Sequence, residues 1–106
     1  MHKLADYTVA VVGLGKIGLP LAATFAHNGL RVTGCDINPE VVATVNAGRS
    51  HVKEEAGLEE RVAEAVSAGR LRATTDTAAA VRQSNVVVVI VPVVVDEERN
   101  VDYRAI

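Results

Sequence analysis

Apolar positions along this chain fall into short blocks whose spacing changes from block to block. Thr8 to Val12 is an unbroken apolar and β-branched run that stops at Gly13. Continuity without alternation suits a strand covered on both faces of a parallel sheet. From Lys16 to Asn28, Ile17, Leu21 and Phe25 recur at helical spacing, and Gly29 stands where a C′ glycine ends a helix. Pro20 falls early in that helix, so a locally distorted first turn is expected. Leu30 to Cys35 reads as a second strand closing at Asp36. Asn38 is then a cap, Pro39 is preset for the first helical position, and Glu40 suits the positive helix end. Val41, Val42 and Val45 give this helix an apolar face, and Gly48 ends it. Leu58, Val62 and Val66 mark a further amphipathic helix that ends near Gly69. Leu71 to Thr74 is a short third strand, Asp76 caps an Ala-rich helix running through Val81, and Val86 to Val91 is the clearest strand.

This order predicts α/β layers around a parallel sheet. Right-handed crossovers put the strands in the spatial order 3-2-1-4. A complete sheet of this kind has about six strands, so residues 1–106 are expected to form one truncated domain, without linker, repeat or low-complexity tract.

Composition narrows the function more than the fold. Hydrophobic residues make up 49% and charged residues 23%, an ordinary globular balance. Aromatics are only 3%, so the core is built from small side chains; at roughly 25 cal/mol per Å² it leaves a thin margin over chain entropy. A net charge of -2 offers no reason to expect nucleic acid or an acidic membrane as partner. The longest apolar run, Val86 to Val95, is too short for a membrane span and is interrupted by Pro92. There is no secretory signal pattern, and one cysteine cannot form an internal disulfide, so a cytoplasmic setting is expected.

The chemistry concentrates in Gly13-Leu14-Gly15-Lys16-Ile17-Gly18, a G-x-G-x-x-G turn between a strand and a helix. Gly13 permits the tight strand exit, Gly15 leaves room for a pyrophosphate, and Gly18 lets the helix lie close to the strand. Backbone N–H groups of Lys16, Ile17 and Gly18 then face the phosphates at the positive helix end. Lys16 contributes its main chain first; side-chain screening of phosphate charge is the weaker alternative. Asp36 follows Gly18 by 18 residues at the end of the second strand, placed to accept hydrogen bonds from ribose hydroxyls. A carboxylate there repels a 2′-phosphate, so NAD is preferred over NADP. The bland alternative is a glycine turn that serves helix–strand packing alone. With the strand order above, the expected fold is a Rossmann-like doubly wound parallel sheet. Val91, Pro92 and Val93 then lie at the switch point, either contacting the nicotinamide half or forming a plain strand exit.

Other residues carry less. Cys35 is expected in the packing layer of the sheet. His2, His27 and His51 lack metal-ligand spacing and are expected at the surface. The stretch from Glu54 to Glu64 is expected to be a solvated helix face. No catalytic set of residues and no general base for alcohol oxidation can be assembled.

The stretch Gly13 to Ala22 resembles the opening of the nucleotide-sugar dehydrogenases, which oxidise UDP-glucose, GDP-mannose or UDP-N-acetylmannosamine to uronic acids. The likeness continues through Gly34 to Asn38, Val45 to Gly48, Glu55 to Leu58 and Gly69 to Asp76, and the UDP-N-acetylmannosamine branch looks nearest. Val91-Pro92-Val93-Val94 departs from the family's Val-Pro-Thr-Pro, which removes a hydroxyl near the cofactor and loosens a rigid turn. The resemblance implies oxidation of a sugar C6 alcohol with two NAD molecules in turn, as in polysaccharide precursor synthesis. It also implies a cysteine nucleophile and an assisting lysine beyond this chain, a role Cys35 does not inherit. The chain is thus expected to hold NAD but to be inactive alone, meeting a nucleotide sugar only as part of a longer protein. The alternatives are the NAD domain of a β-hydroxyacid dehydrogenase and a non-catalytic nucleotide-binding module. The apolar run Val86 to Val91 is expected to be an unpaired sheet edge that drives homodimerisation or self-association.

Overall fold

The computed structural model describes residues 6–53, 55–90, 94–95 and 101–102. Four parallel strands, β1 (Thr8–Val12), β2 (Arg31–Cys35), β3 (Leu71–Thr74) and β4 (Val86–Val89), lie in the order β3-β2-β1-β4. Between them run α1 (Gly18–His27), α2 (Pro39–Asn46), α3 (Leu58–Ser67) and α4 (Thr77–Arg82). Val94–Val95 (β5) and Val101–Asp102 (β6) pair antiparallel as a separate two-stranded ribbon. Strand order, strand positions and the helix order all follow the expected Rossmann-like pattern.

The pleat divides the sheet into two unlike faces. Val9, Val11 and Val32 pack with Leu19, Ala22, Ala23 and Ala26 of α1, Val45 of α2, and Leu58, Val62 and Ala65 of α3. The alanine stripe on α1 lets that helix sit close to the strands, where larger side chains would hold it off. Ala10, Cys35 and Ala80 form a smaller cluster beneath α4 on the opposite face. From Val9 to Val12, alternate residues of β1 thus serve different cores, and this explains why that stretch has no polar position.

Local signals set the boundaries. The Asn38 side chain accepts from the Glu40 N–H at 2.9 Å, with Pro39 at the first helical position. Asp76 accepts from the Ala79 N–H at 3.1 Å. Gly29, Gly48 and Gly69 each end a helix or its following turn with positive φ. α1 differs from expectation in two ways. It starts at Gly18 rather than Lys16, because Lys16 and Ile17 belong to the turn. Pro20 does not distort it: bonds from Leu19 N–H to Gly15 O (3.1 Å) and Leu21 N–H to Ile17 O (3.2 Å) bracket the proline. In the third helical position its missing N–H removes nothing the first turn needs.

Asn46 has a role that composition does not announce. Its side-chain amide donates to Ala73 O (2.9 Å) and accepts from Ala73 N–H (2.8 Å). One side chain thereby mimics a neighbouring strand along the outer edge of β3.

Candidate functional site

The glycine turn lies at the carboxyl ends of β1, β2 and β4. Gly13 has φ +103, and its N–H donates to Cys35 O at 2.8 Å. A Cβ on Gly13 would approach Ile90 O to 3.2 Å, so the turn is pinched between the ends of β2 and β4. At Gly18 a Cβ would lie 1.7 Å from Gly13 O, which no side chain survives. The first turn of α1 therefore crosses directly over the exit of β1. Gly15 is the opposite case, because a Cβ there would have nothing within 4 Å. It faces open space beside exposed Lys16 and Ile17. The three glycines do separate jobs, and Gly15 is not held by packing.

Leu14 points the other way. It is fully buried, and a Cβ on Gly34 of β2 would come within 2.7 Å of its Cδ1. The leucine is a plug that seats the turn onto the sheet, and the plug fits because position 34 lacks a side chain. Sequence reasoning missed this pair; a glycine inside a strand was the available signal.

The helix end is electrostatically exposed. α1 has no side-chain cap at Ile17 and no acidic residue in its first turn. α2 has both, α3 has Glu59 and Glu60, and α4 has the Asp76 cap. Among the described helices only α1 leaves its positive end without a protein anion or cap, the arrangement that favours a bound anion.

Asp36, just beyond β2, is half-buried beside this turn. Its Oδ2 accepts from the Leu14 N–H and its Oδ1 from the Asn38 N–H, each at 3.0 Å. The expected site residues Gly13, Gly15, Lys16, Ile17, Gly18 and Asp36 are thus brought together. The amide bonds that fix the carboxylate were not foreseen. Val91, Pro92 and Val93 lie outside the described residues, as does His2. The preceding residue, Ile90, donates to Val12 O at 2.9 Å, so the chain leaves β4 beside the glycine turn.

Cys35 touches this site through its carbonyl, which accepts from the Gly13 N–H, and not through its thiol. Cys35 is fully buried, and burial raises its thiol above the ordinary value. His27 is exposed; His51 departs from the surface placement expected, since it is half-buried with Nδ1 enclosed and lacking a described partner. Among the described residues no group of three His, Cys, Asp or Glu can hold a metal, and no helix is long and apolar enough to cross a membrane.

Comparison with known proteins agrees with this geometry. The model of the UDP-glucose/GDP-mannose dehydrogenase family, NAD binding domain, matches residues 7–106. UDP-N-acetyl-D-mannosamine dehydrogenase of Salmonella typhi is 52% identical over 68 residues, 64% of this chain and 16% of that protein. NDP-N-acetyl-D-galactosaminuronic acid dehydrogenase of Ralstonia nicotianae is 51% identical over 69 residues, 65% of this chain and 16% of that protein. The structure of a UDP-glucose dehydrogenase from Pyrobaculum islandicum superposes with a TM-score of 0.84 at 35% identity, covering 93% of this chain and 23% of that one. The chain thus spans about a sixth of the length of the curated relatives it matches.

Proposed function

Since the chain belongs to the UDP-glucose/GDP-mannose dehydrogenase family through its NAD binding domain, we propose that it is the cofactor-holding part of a dehydrogenase that oxidises the C6 alcohol of a nucleotide sugar to a uronate. The observation that carries this reading is the open Gly15 shelf in front of an uncapped helix, with a fixed carboxylate beside it. Those residues fit NAD: the shelf has room for a diphosphate, and the helix end lacks an anion of its own.

The roles divide by chemistry. Main-chain N–H groups of Gly15, Lys16, Ile17 and Gly18 hold the diphosphate, and Gly13 and Gly18 hold the turn in shape. Asp36 keeps lone pairs beyond its two amide bonds and accepts from the ribose hydroxyls. The same charge opposes a 2′-phosphate, which selects NAD over NADP. Val91, Pro92 and Val93 contact the nicotinamide half. NAD, when bound, supplies the hydride acceptor. The nucleophile and the assisting lysine lie in other parts of a longer protein, and this chain alone turns over nothing. The substrate is a UDP-N-acetylhexosamine or UDP-glucose, the setting is the cytoplasm, and the β4 edge drives self-association.

Membership of this family favours the nucleotide-sugar dehydrogenase reading over that of a β-hydroxyacid dehydrogenase. Titration of the isotope-labelled chain with NAD tests the site. Amide NMR shifts should move at Gly13 to Gly18 and at Asp36, and NADP should bind at least tenfold more weakly. Shifts that bypass the turn would sink the proposal. No NADH should form when the chain alone is given NAD and UDP-N-acetylmannosamine.

A further inference from the structure

The face of the sheet beneath α4 is mixed: Ala10 and Cys35 pack with Ala80, while register places Thr8 beside Arg31 and Thr33 beside Arg72 toward its amino half. α4 spans only Thr77–Arg82, about 9 Å of helix, and is too short to cover both halves. What remains uncovered is a cleft of about 240 Å³ lined by Thr8, Thr33, Gln83 and three arginines, Arg31, Arg70 and Arg72.

The charge of this cleft is unbalanced. Its described walls carry no Asp or Glu. Arg72 Nη2 donates to Gln83 Oε1 at 3.4 Å and its Nε to Thr33 Oγ1 at 3.5 Å, both neutral acceptors at long range. Asp76 lines the adjoining cavity with Arg72 instead, and its Oδ1 accepts from the Ala79 N–H. Three guanidinium groups around one cleft, in a chain whose net charge is -2, is a local excess that composition does not explain. Guanidinium groups repel one another unless an anion lies between them, and their planar forks match phosphate oxygens.

We propose that this cleft is a second anion site, which takes the phosphate group of a small molecule. It lies at the amino edge of the sheet, about 16 Å of strand away from the glycine turn, and is independent of the NAD reading. Thr8 and Thr33 supply hydroxyls and Arg31, Arg70 and Arg72 supply charge.

The test uses the labelled chain saturated with NAD, so that the glycine turn is already engaged. Inorganic phosphate, pyrophosphate and adenosine 5′-phosphate are titrated separately, each against sodium chloride of equal ionic strength. Saturable shifts are expected at Arg31, Thr33, Gly69, Arg70 and Arg72. Binding should weaken at least tenfold in the double variant Arg31→Gln with Arg70→Gln, whose two sites are exposed and should fold normally. Preference for adenosine 5′-phosphate over the inorganic ions would identify a phosphate ester, and the reverse a free anion. Shifts that match sodium chloride, that survive in the double variant, or that fall only on Gly13 to Gly18 would overturn the site while leaving NAD binding intact.

Discussion

Gly15 and Gly18 stand three positions apart and are constrained by opposite things. Gly15→Ala would place its methyl in open space with no unfavourable φ, so the variant should keep stability within about 0.5 kcal/mol. On the proposed binding mode it should nonetheless weaken NAD at least tenfold, because the added methyl would take space assigned to the diphosphate. Gly18→Ala would drive a methyl into Gly13 O and should cost about 2–4 kcal/mol, lowering the melting temperature by about 10 °C or more. Calorimetry beside an NAD titration separates the two. Equal stability losses would refute the division of labour. The glycine spacing was legible because each constraint arises inside one turn of chain. The Leu14–Gly34 contact was not, because its partners are 20 residues apart and meet only when β2 pairs with β1.

At the scale of elements, the boundaries that announced themselves were those made by one residue on its own neighbours. Asn38, Pro39 and Asp76 act within three positions, and the structure uses all of them. The start of α1 was misplaced by two residues because the crossing at Gly18, a tertiary contact, decides it. Asn46 belongs to the same hidden class, since nothing in the helix pattern points toward β3. Asn46→Ala should cost about 1–2 kcal/mol by leaving the Ala73 N–H and C=O unpaired, read by urea unfolding. An unchanged midpoint would show that solvent replaces the amide without loss. Beneath α4, burial raises the Cys35 thiol first, with the Asp76 carboxylate adding to it and a Thr77 hydrogen bond opposing. A raised thiol contributes stability that is complete below the unfolded-state value of about 8.5 and is lost as pH climbs through the folded one. Iodoacetamide should therefore label Cys35 at least a hundredfold faster in urea than in the folded chain at pH 8. Equal rates would mean the thiol is accessible.

Across the whole molecule, the strand order was readable because handedness leaves few ways to wind these elements. The fate of the β4 edge was readable only in part. Val86, Val87 and Val89 are 47%, 40% and 58% exposed, and no described strand pairs with the outer side of β4. Sedimentation should detect dimers at high concentration, and Val87→Lys should return the chain to monomer. A wild-type monomer under those conditions would end the self-association reading. The polar amino half of the α4 face was invisible at this scale, because Arg31, Thr33 and Arg72 come together only through strand register.

The Asp36 carboxylate clasps the loop after β1 through Leu14 and the loop after β2 through Asn38. Whatever it meets in a bound ligand, it is already a buckle between two loops. Re-engineering the chain for a phosphorylated cofactor therefore cannot begin by exchanging this acid for a cation. Fresh acceptors for those two amides must be installed first, or the loops will part before any new specificity can be read.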